Sequence, residues 1–317
     1  MLWDQHACLA LLPDADVGEL TRFARPGGVY TSVNVGYSRH STATCLGLLH
    51  AFRAQVDAHP DLALAATVGD VRAAVAAGQV AVAFDLEDSG PLGGDLAMVR
   101  TFADLGVRTM LPSYNHANAA GCGCLDAVDT GLTAWGRALV AEMNAVGMVV
   151  DGSHCSVRTG LDLCVASTSP VVYSHSCLRS VWEHPRNITD EQARECAATG
   201  GVVGITGVGI FLGPNTATLE AMARHLEAAV ELVGSDHVGV SSDFSFDADD
   251  FMAEIIAMPE LFDESYTRWG PIQWIPPEVF VGLGAVLTER GWSDGDVAAV
   301  LSGNFLRVAE QVWPTGS

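Results

Sequence analysis

The sequence predicts an α/β fold, an eight-stranded (β/α)8 barrel of the TIM type, and three observations carry that prediction. Eight short runs rich in β-branched residues alternate with stretches rich in Ala and Leu, the pattern of parallel strands joined by helices. The runs are apolar almost throughout, as strands buried on both faces must be. Most of them end on polar side chains, and barrels of this kind gather their chemistry on the C-terminal rim. A doubly wound sheet shares the alternation, but eight strands with polar C-terminal ends favour closure.

The expected strands are Leu2–Cys8, Val29–Val35, Val80–Glu87, Val107–Tyr114, Gly147–His154, Pro170–Ser176, Gly201–Val208 and His237–Phe244, each bounded by Gly, Pro or Asp. Helices are expected over Gly94–Leu105, Leu132–Val146, Ser156–Ser167, Thr189–Ala198 and Thr216–Val233. Thr189 and Gln192 have the spacing of a capping box, and Gly106, Gly147 and Gly234 stand where helices should stop. The last helices follow Pro276-Pro277 and Ser293 and end in GNFLRVAEQ. With no linker or low-complexity tract, residues 1–317 read as one barrel domain. The irregular exception is 245–275, acidic (FDADDF) and then aromatic (SYTRWGPIQWI), expected to overhang the barrel mouth as a lid or subunit contact.

Composition narrows the function. Hydrophobic residues make up 49% of the 317 and charged residues 17%, enough for a large buried core. The net charge of −22, with arginine as the sole strong base, excludes nucleic acid, which needs clustered positive charge. No apolar run approaches the roughly 18–20 residues that span a bilayer. The first strand begins within a few residues, leaving no room for a signal peptide, so a cytoplasmic protein without membrane partners is expected. The eight cysteines lack a disulfide spacing pattern and are expected as reduced thiols. The Cys122-Gly-Cys124 pair reads as ordinary loop thiols ahead of a metal pair.

The candidate chemistry sits at strand ends. His6, Glu87, His154 and His175 close the first strand and the segments VAVAFDLE, GMVVDGSH and PVVYSHS. His154 and His175 come from consecutive strands, so their imidazoles should be neighbours. Two imidazoles and a carboxylate with one open position form a catalytic zinc pattern, in which the metal activates water and polarises a carbonyl. His6 and Cys8, two apart on a strand, face the same side, and Cys8 reads equally as a zinc thiolate or a small buried thiol. Asp243, ending VGVSSDF, reads as a ligand, as a general base and acid, or as a helix cap. Arg186 in HPRN reads as a bidentate clamp for a substrate carboxylate or as a loop arginine.

At these residues the chain resembles the membrane (renal) dipeptidase family of the amidohydrolase superfamily, as a divergent, bacterial-type member. The resemblance runs nearly end to end and rests on FDLE (84–87), GLTAWGRALVAEMNAVGMVVDGSH (131–154), PVVYSHS (170–176), HPRNITD (184–190), GGVVGI (200–205), HVGVSSDF (237–244) and SGNFLRV (302–308). It implies a dinuclear zinc centre in which Glu87 bridges, His154 and His175 hold the second metal, Asp243 stands by the bridging water, Arg186 grips the substrate carboxylate and His6 is the first ligand. Two departures stand out. Cys8 replaces the aspartate of the family's H-x-D pair, leaving one or two zinc ions as alternatives. Tyr114 stands where the family uses a histidine to polarise the carbonyl, with His116 two residues on as the alternative donor.

The expected function is therefore zinc-dependent hydrolysis, by metal-activated water, of the amide in a dipeptide or dipeptide-like small molecule. The family's tolerance of a C-terminal D-residue extends the expectation to L,D-dipeptides. The loss of the polarising histidine leaves another small amide, a lactam or an ester as the alternative. A metal-poor, non-catalytic binding relative is the reading from another class, favoured by Cys8 and opposed by Glu87, His154, His175, Arg186 and Asp243. Family members are often dimers, so a homodimer with Tyr266–Trp274 between subunits is part of the same expectation.

Overall fold

The computed structural model describes residues 1–315. Eight parallel strands run in the order β1 (Leu2–Ala7), β2 (Val29–Asn34), β4 (Val80–Leu86), β5 (Val107–Met110), β6 (Val149–Asp151), β7 (Val171–Tyr173), β8 (Val202–Thr206) and β9 (Val238–Ser241). A ninth strand, β3 (Leu62–Leu64), pairs beside the first half of β4, where β5 has not yet begun. The ring closes where β1 meets β9. Asp243 N donates to His6 O at 2.9 Å, Cys8 N to Phe244 O at 2.9 Å and Phe246 N to Cys8 O at 2.9 Å. Below them Asp4 accepts from Ser242 N at 2.6 Å and Ser242 Oγ at 2.7 Å.

The strands are shorter than the sequence predicts, most of all β6 and β7, because side chains end the ladders. Asp151 Oδ1 accepts from Ser153 N at 2.9 Å and Ser174 N at 3.0 Å, so one carboxylate turns the chain out of both strands. His154 and His175 consequently lie in the loops just beyond. The expected helices form, trimmed to Ala97–Asp104, Ala134–Val146, Val157–Ala166, Asp190–Ala198 and Leu219–Val233. Thr189 and Gln192 make the capping box. Two further helices, Thr42–Ala58 and Val68–Ala77, complete the wall between β2 and β4. None of the helices among the described residues is long and apolar enough to cross a membrane.

Period-two alternation sorts β4 into two faces. Val80, Val82, Phe84 and Leu86 join the large core beneath the helices, while Ala81 and Ala83 join a separate core with Trp3, Tyr30, Val149, Val172 and Val202. That second core is the barrel floor. The C-terminal helix Asn304–Val312 plugs it by seating Phe305 against Gly204 and Gly239, where an added Cβ at Gly239 would lie 2.3 Å from the Phe305 ring. Asn304 fixes this helix by donating to Ser235 O at 2.6 Å and Val238 O at 2.7 Å. Higher up, the same face of β4 turns polar with Asp85, and Glu87 follows immediately after the strand.

In the helix Leu219–Val233, His225 is fully buried. Its Nδ1 accepts from Leu178 N at 3.3 Å and its Nε2 donates to Leu212 O at 3.4 Å, an arrangement that requires the neutral ring. Burial lowers its pKa to about 4. As pH falls through the unfolded value of about 6.5, the unfolded chain takes up a proton that the fold refuses until about 4. Stability is therefore lost on acidification in that window. In urea titrations at pH 7 and 4.5, His225→Gln should lose about 2 kcal/mol less stability than the native chain; equal losses would show that His225 is not held neutral.

Candidate metal centre

Four elements deliver side chains to one point above the barrel. His6 rises from β1, Glu87 from the end of β4, and His154 and His175 from the loops after β6 and β7. Glu87 Oε1 stands 3.4 Å from His6 Nε2, 3.4 Å from His154 Nε2 and 3.3 Å from His175 Nε2. Ligands around a tetrahedral zinc, at about 2.0–2.2 Å from it, stand roughly 3.3–3.6 Å from one another. The separations from Glu87 match that range, and Glu87, His154 and His175 form one group whose ligand atoms could hold an ion. Buried His175 Nε2 has no hydrogen-bond partner, leaving its lone pair available to a cation.

Each imidazole is oriented through its other nitrogen. His154 Nδ1 meets Asn115 Oδ1 at 2.7 Å, His175 Nδ1 meets Ser174 Oγ at 2.6 Å and His6 Nδ1 meets Asp85 Oδ2 at 3.2 Å. Asp85 is held in turn by Ser32 Oγ at 2.6 Å. Glu87 Oε2 accepts from Asn34 Nδ2, and Tyr266 donates to Asn115 Oδ1 at 3.1 Å. Asn115, His154 and Asp243 all adopt left-handed backbone, with φ of 54°, 62° and 49°. Strain in three non-glycine residues around one point is typical of a functional site.

The electrostatics also fit a cation. Burial holds His154 and His175 well below the usual imidazole range, so both are neutral donors. Burial lifts Glu87 to about 8 and raises Asp243 above the usual carboxylate range. For His6 burial opposes the charge, but Asp85, Cys8 and Glu87 outweigh it and push the ring well above its ordinary value. The cluster thus favours positive charge, and three overlapping donor groups are present among the described residues: His6–Cys8–Glu87, His6–His175–Asp243 and Glu87–His154–His175.

The cavity over this cluster is lined by Cys8, Glu87, Tyr114, His154 and Asp243. Val208, Phe211, Phe251, Tyr266, Ile272 and Trp274 add an apolar lining to the same cavity. A sequence profile of the membrane dipeptidases (peptidase family M19) matches residues 24–270. The chain belongs to this family. It is 32% identical over 253 residues to dipeptidase verJ of Clonostachys rogersoniana, covering 79% of this chain and 60% of that protein. An uncharacterised dipeptidase of Schizosaccharomyces pombe is 29% identical over 74% of this chain and 58% of its own length, so the chain spans only about three fifths of both relatives. Among solved structures, an amidohydrolase from Pseudomonas aeruginosa superposes with a TM-score of 0.88 at 27% identity, over 99% of this chain and 96% of that one. A metallopeptidase from Rhodobacter sphaeroides liganded with a phosphinate mimic of L-Ala-D-Ala shares the fold, with a TM-score of 0.79 at 19% identity over 98% and 99% of the two chains.

Within this M19 chain the structure brings together His6, Cys8, Glu87, Tyr114, His154, His175 and Asp243. Tyr114 stacks on His154 with ring centroids 3.9 Å apart. His116 is not part of the cluster, which corrects its expected approach to the carbonyl. The chain leaves β5 at Met110, and beyond the left-handed turn at Asn115 His116 pairs with Asp126 Oδ1 at 3.2 Å. Arg186 is buried beside the cluster, donating to Ser176 Oγ at 3.2 Å and His175 O at 3.0 Å. It lines a second, polar cavity that shares His154 with the first. In the GCGC loop, Cys124 N donates to His154 O at 2.8 Å, and an added Cβ at Gly123 would lie 2.0 Å from the Asn115 backbone. The motif clamps Asn115 and His154 through its backbone, and neither thiol belongs to a donor group.

Sequence reading did not single out Asn34, Asp85 as a partner of His6, Asn115, Ser174 or the wall residue Phe211. Of these only Asp85 carried a signal, as the one charged residue in an apolar strand. Asn115→Ala frees the His154 ring and should weaken metal binding about 10–100-fold in a chelator competition; an unchanged affinity would remove Asn115 from the centre.

Proposed function

We propose that this chain is a zinc-dependent dipeptidase that cleaves the amide of dipeptides, including those with a C-terminal D-residue. The observation that carries the reading is the meeting of three imidazole Nε2 atoms on one oxygen of Glu87 beneath a half-apolar cavity. Glu87, His154 and His175 would hold one ion, and His6 on β1 shares Glu87. Zinc bound there supplies Lewis acidity to the scissile carbonyl and makes water nucleophilic near neutral pH.

The chain's own groups do the rest. Asp243 faces the cavity with its Oδ2 held by Thr206 Oγ1 at 3.1 Å. Burial raises its pKa, which suits it to take the proton of the attacking water and hand it to the leaving amine. Tyr114 is held protonated by burial, well above the usual phenol range, and is the donor for the developing negative oxygen. Arg186, deep beside His175, attracts the substrate carboxylate. The apolar wall from Val208 to Trp274 holds side chains and excludes water. The support from known proteins is family membership and the dipeptide mimic bound by the Rhodobacter sphaeroides protein.

Tyr114 in the place of a polarising histidine favours a second reading, hydrolysis of a different small amide, a lactam or an ester. A screen of L-Ala-L-Ala, L-Ala-D-Ala, N-acyl amino acids and lactams with zinc-loaded protein separates the two. Dipeptide turnover abolished by chelation and restored by zinc is expected; turnover of lactams alone would move the assignment to the second reading. Asp243→Asn should lower kcat roughly 10²–10⁴-fold while the ion at Glu87, His154 and His175 stays bound. A full-rate Asp243→Asn enzyme would reject the proton-transfer role.

A further inference from the structure

We infer that His6, Cys8 and Glu87 form a second, thiolate-bearing cation site that takes zinc, cadmium or cobalt(II) and discriminates against hard ions such as magnesium and manganese. The inference deepens the dipeptidase reading, resting on its first ion at Glu87, His154 and His175. Cys8 Sγ lies 3.3 Å from His6 Nε2, and one ligand atom from each of the three residues lies within 4.8 Å of the other two. A zinc with bonds of about 2.3 Å to sulfur and 2.0–2.1 Å to nitrogen holds those atoms roughly 3.5 Å apart.

The sulfur is not free to leave. Cys8 is the last residue pairing β1 with the segment after β9, through both its N–H and its C=O at 2.9 Å, so its Cβ is fixed toward the cavity. Of the eight thiols, Cys8 is the single one within a shared donor group among the described residues. The other seven lack partners of that kind, and most are packed in the core. Binding replaces the S–H bond with a sulfur–metal bond and releases the thiol proton to solvent. A soft thiolate selects zinc, cadmium and cobalt over oxygen-seeking ions. It offers one donor atom where a carboxylate offers two, so this position is narrower in the metals it accepts than an all-oxygen and imidazole site.

Cobalt(II) titration of chelator-treated protein tests this without reading activity. The first equivalent should give visible ligand-field bands, and the second a near-ultraviolet thiolate-to-cobalt charge-transfer band. Cys8→Ser should lose that band and the second equivalent. Cys8→Asp should lose the band, keep two equivalents and gain manganese binding. In the native chain, bound metal should protect Cys8 from iodoacetamide, read by peptide mass, which depends on no variant folding. Cobalt binding without the charge-transfer band, a band that survives Cys8→Ser, or equal alkylation with and without metal would each overturn the thiolate site and leave the first ion standing. No cobalt binding at all would overturn both.

Discussion

An ionised carboxylate taken out of water carries a desolvation penalty of several kcal/mol unless compensating charge or hydrogen bonds meet it. Glu87 is buried, one of its oxygens accepts from Asn34, and the other has three imidazole nitrogens within 3.4 Å, of which His154 and His175 are held neutral. The upper half of the barrel is arranged around that debt of charge. His6, His154 and His175 each have their outer nitrogen tied down, so none can turn away to seek another partner.

The lower half makes the arrangement rigid. Phe305 occupies the space left by Gly204 and Gly239, and the Trp3 and Tyr30 rings stack 3.8 Å apart above the plug. An apolar floor of this kind keeps water from entering beneath Asp85 and Glu87, which preserves the low dielectric that strengthens every interaction above it. The polar face of β4 works because it stands on that floor.

Much of this was legible in the sequence, for physical reasons. His154, His175 and Glu87 announced themselves by closing apolar runs, and an apolar run of β-branched residues has few folds other than a buried strand. Strand length was less legible. The ladders of β6 and β7 stop where Asp151 captures Ser153 N locally and Ser174 N across from the next strand, and no local pattern encodes the second contact. His116 was misplaced for a similar reason, since its direction depends on the left-handed turn at Asn115. Asn34 and Asn115 are ordinary residues by type and spacing, and their importance arises from which histidine or carboxylate the fold sets beside them. The three-residue β3 had too short a pattern to separate from its neighbours.

The left-handed backbone at His154 and Asp243 opposes two demands on the same positions. Glycine there would relieve steric strain of about 1 kcal/mol or more apiece. It would also delete an imidazole facing Glu87 and the carboxylate facing the cavity. A library of this protein selected only for heat resistance would therefore drift toward glycine at these two positions. Its winners would be sturdier barrels with an erased centre, and thermostability engineering of this scaffold has to hold both positions fixed.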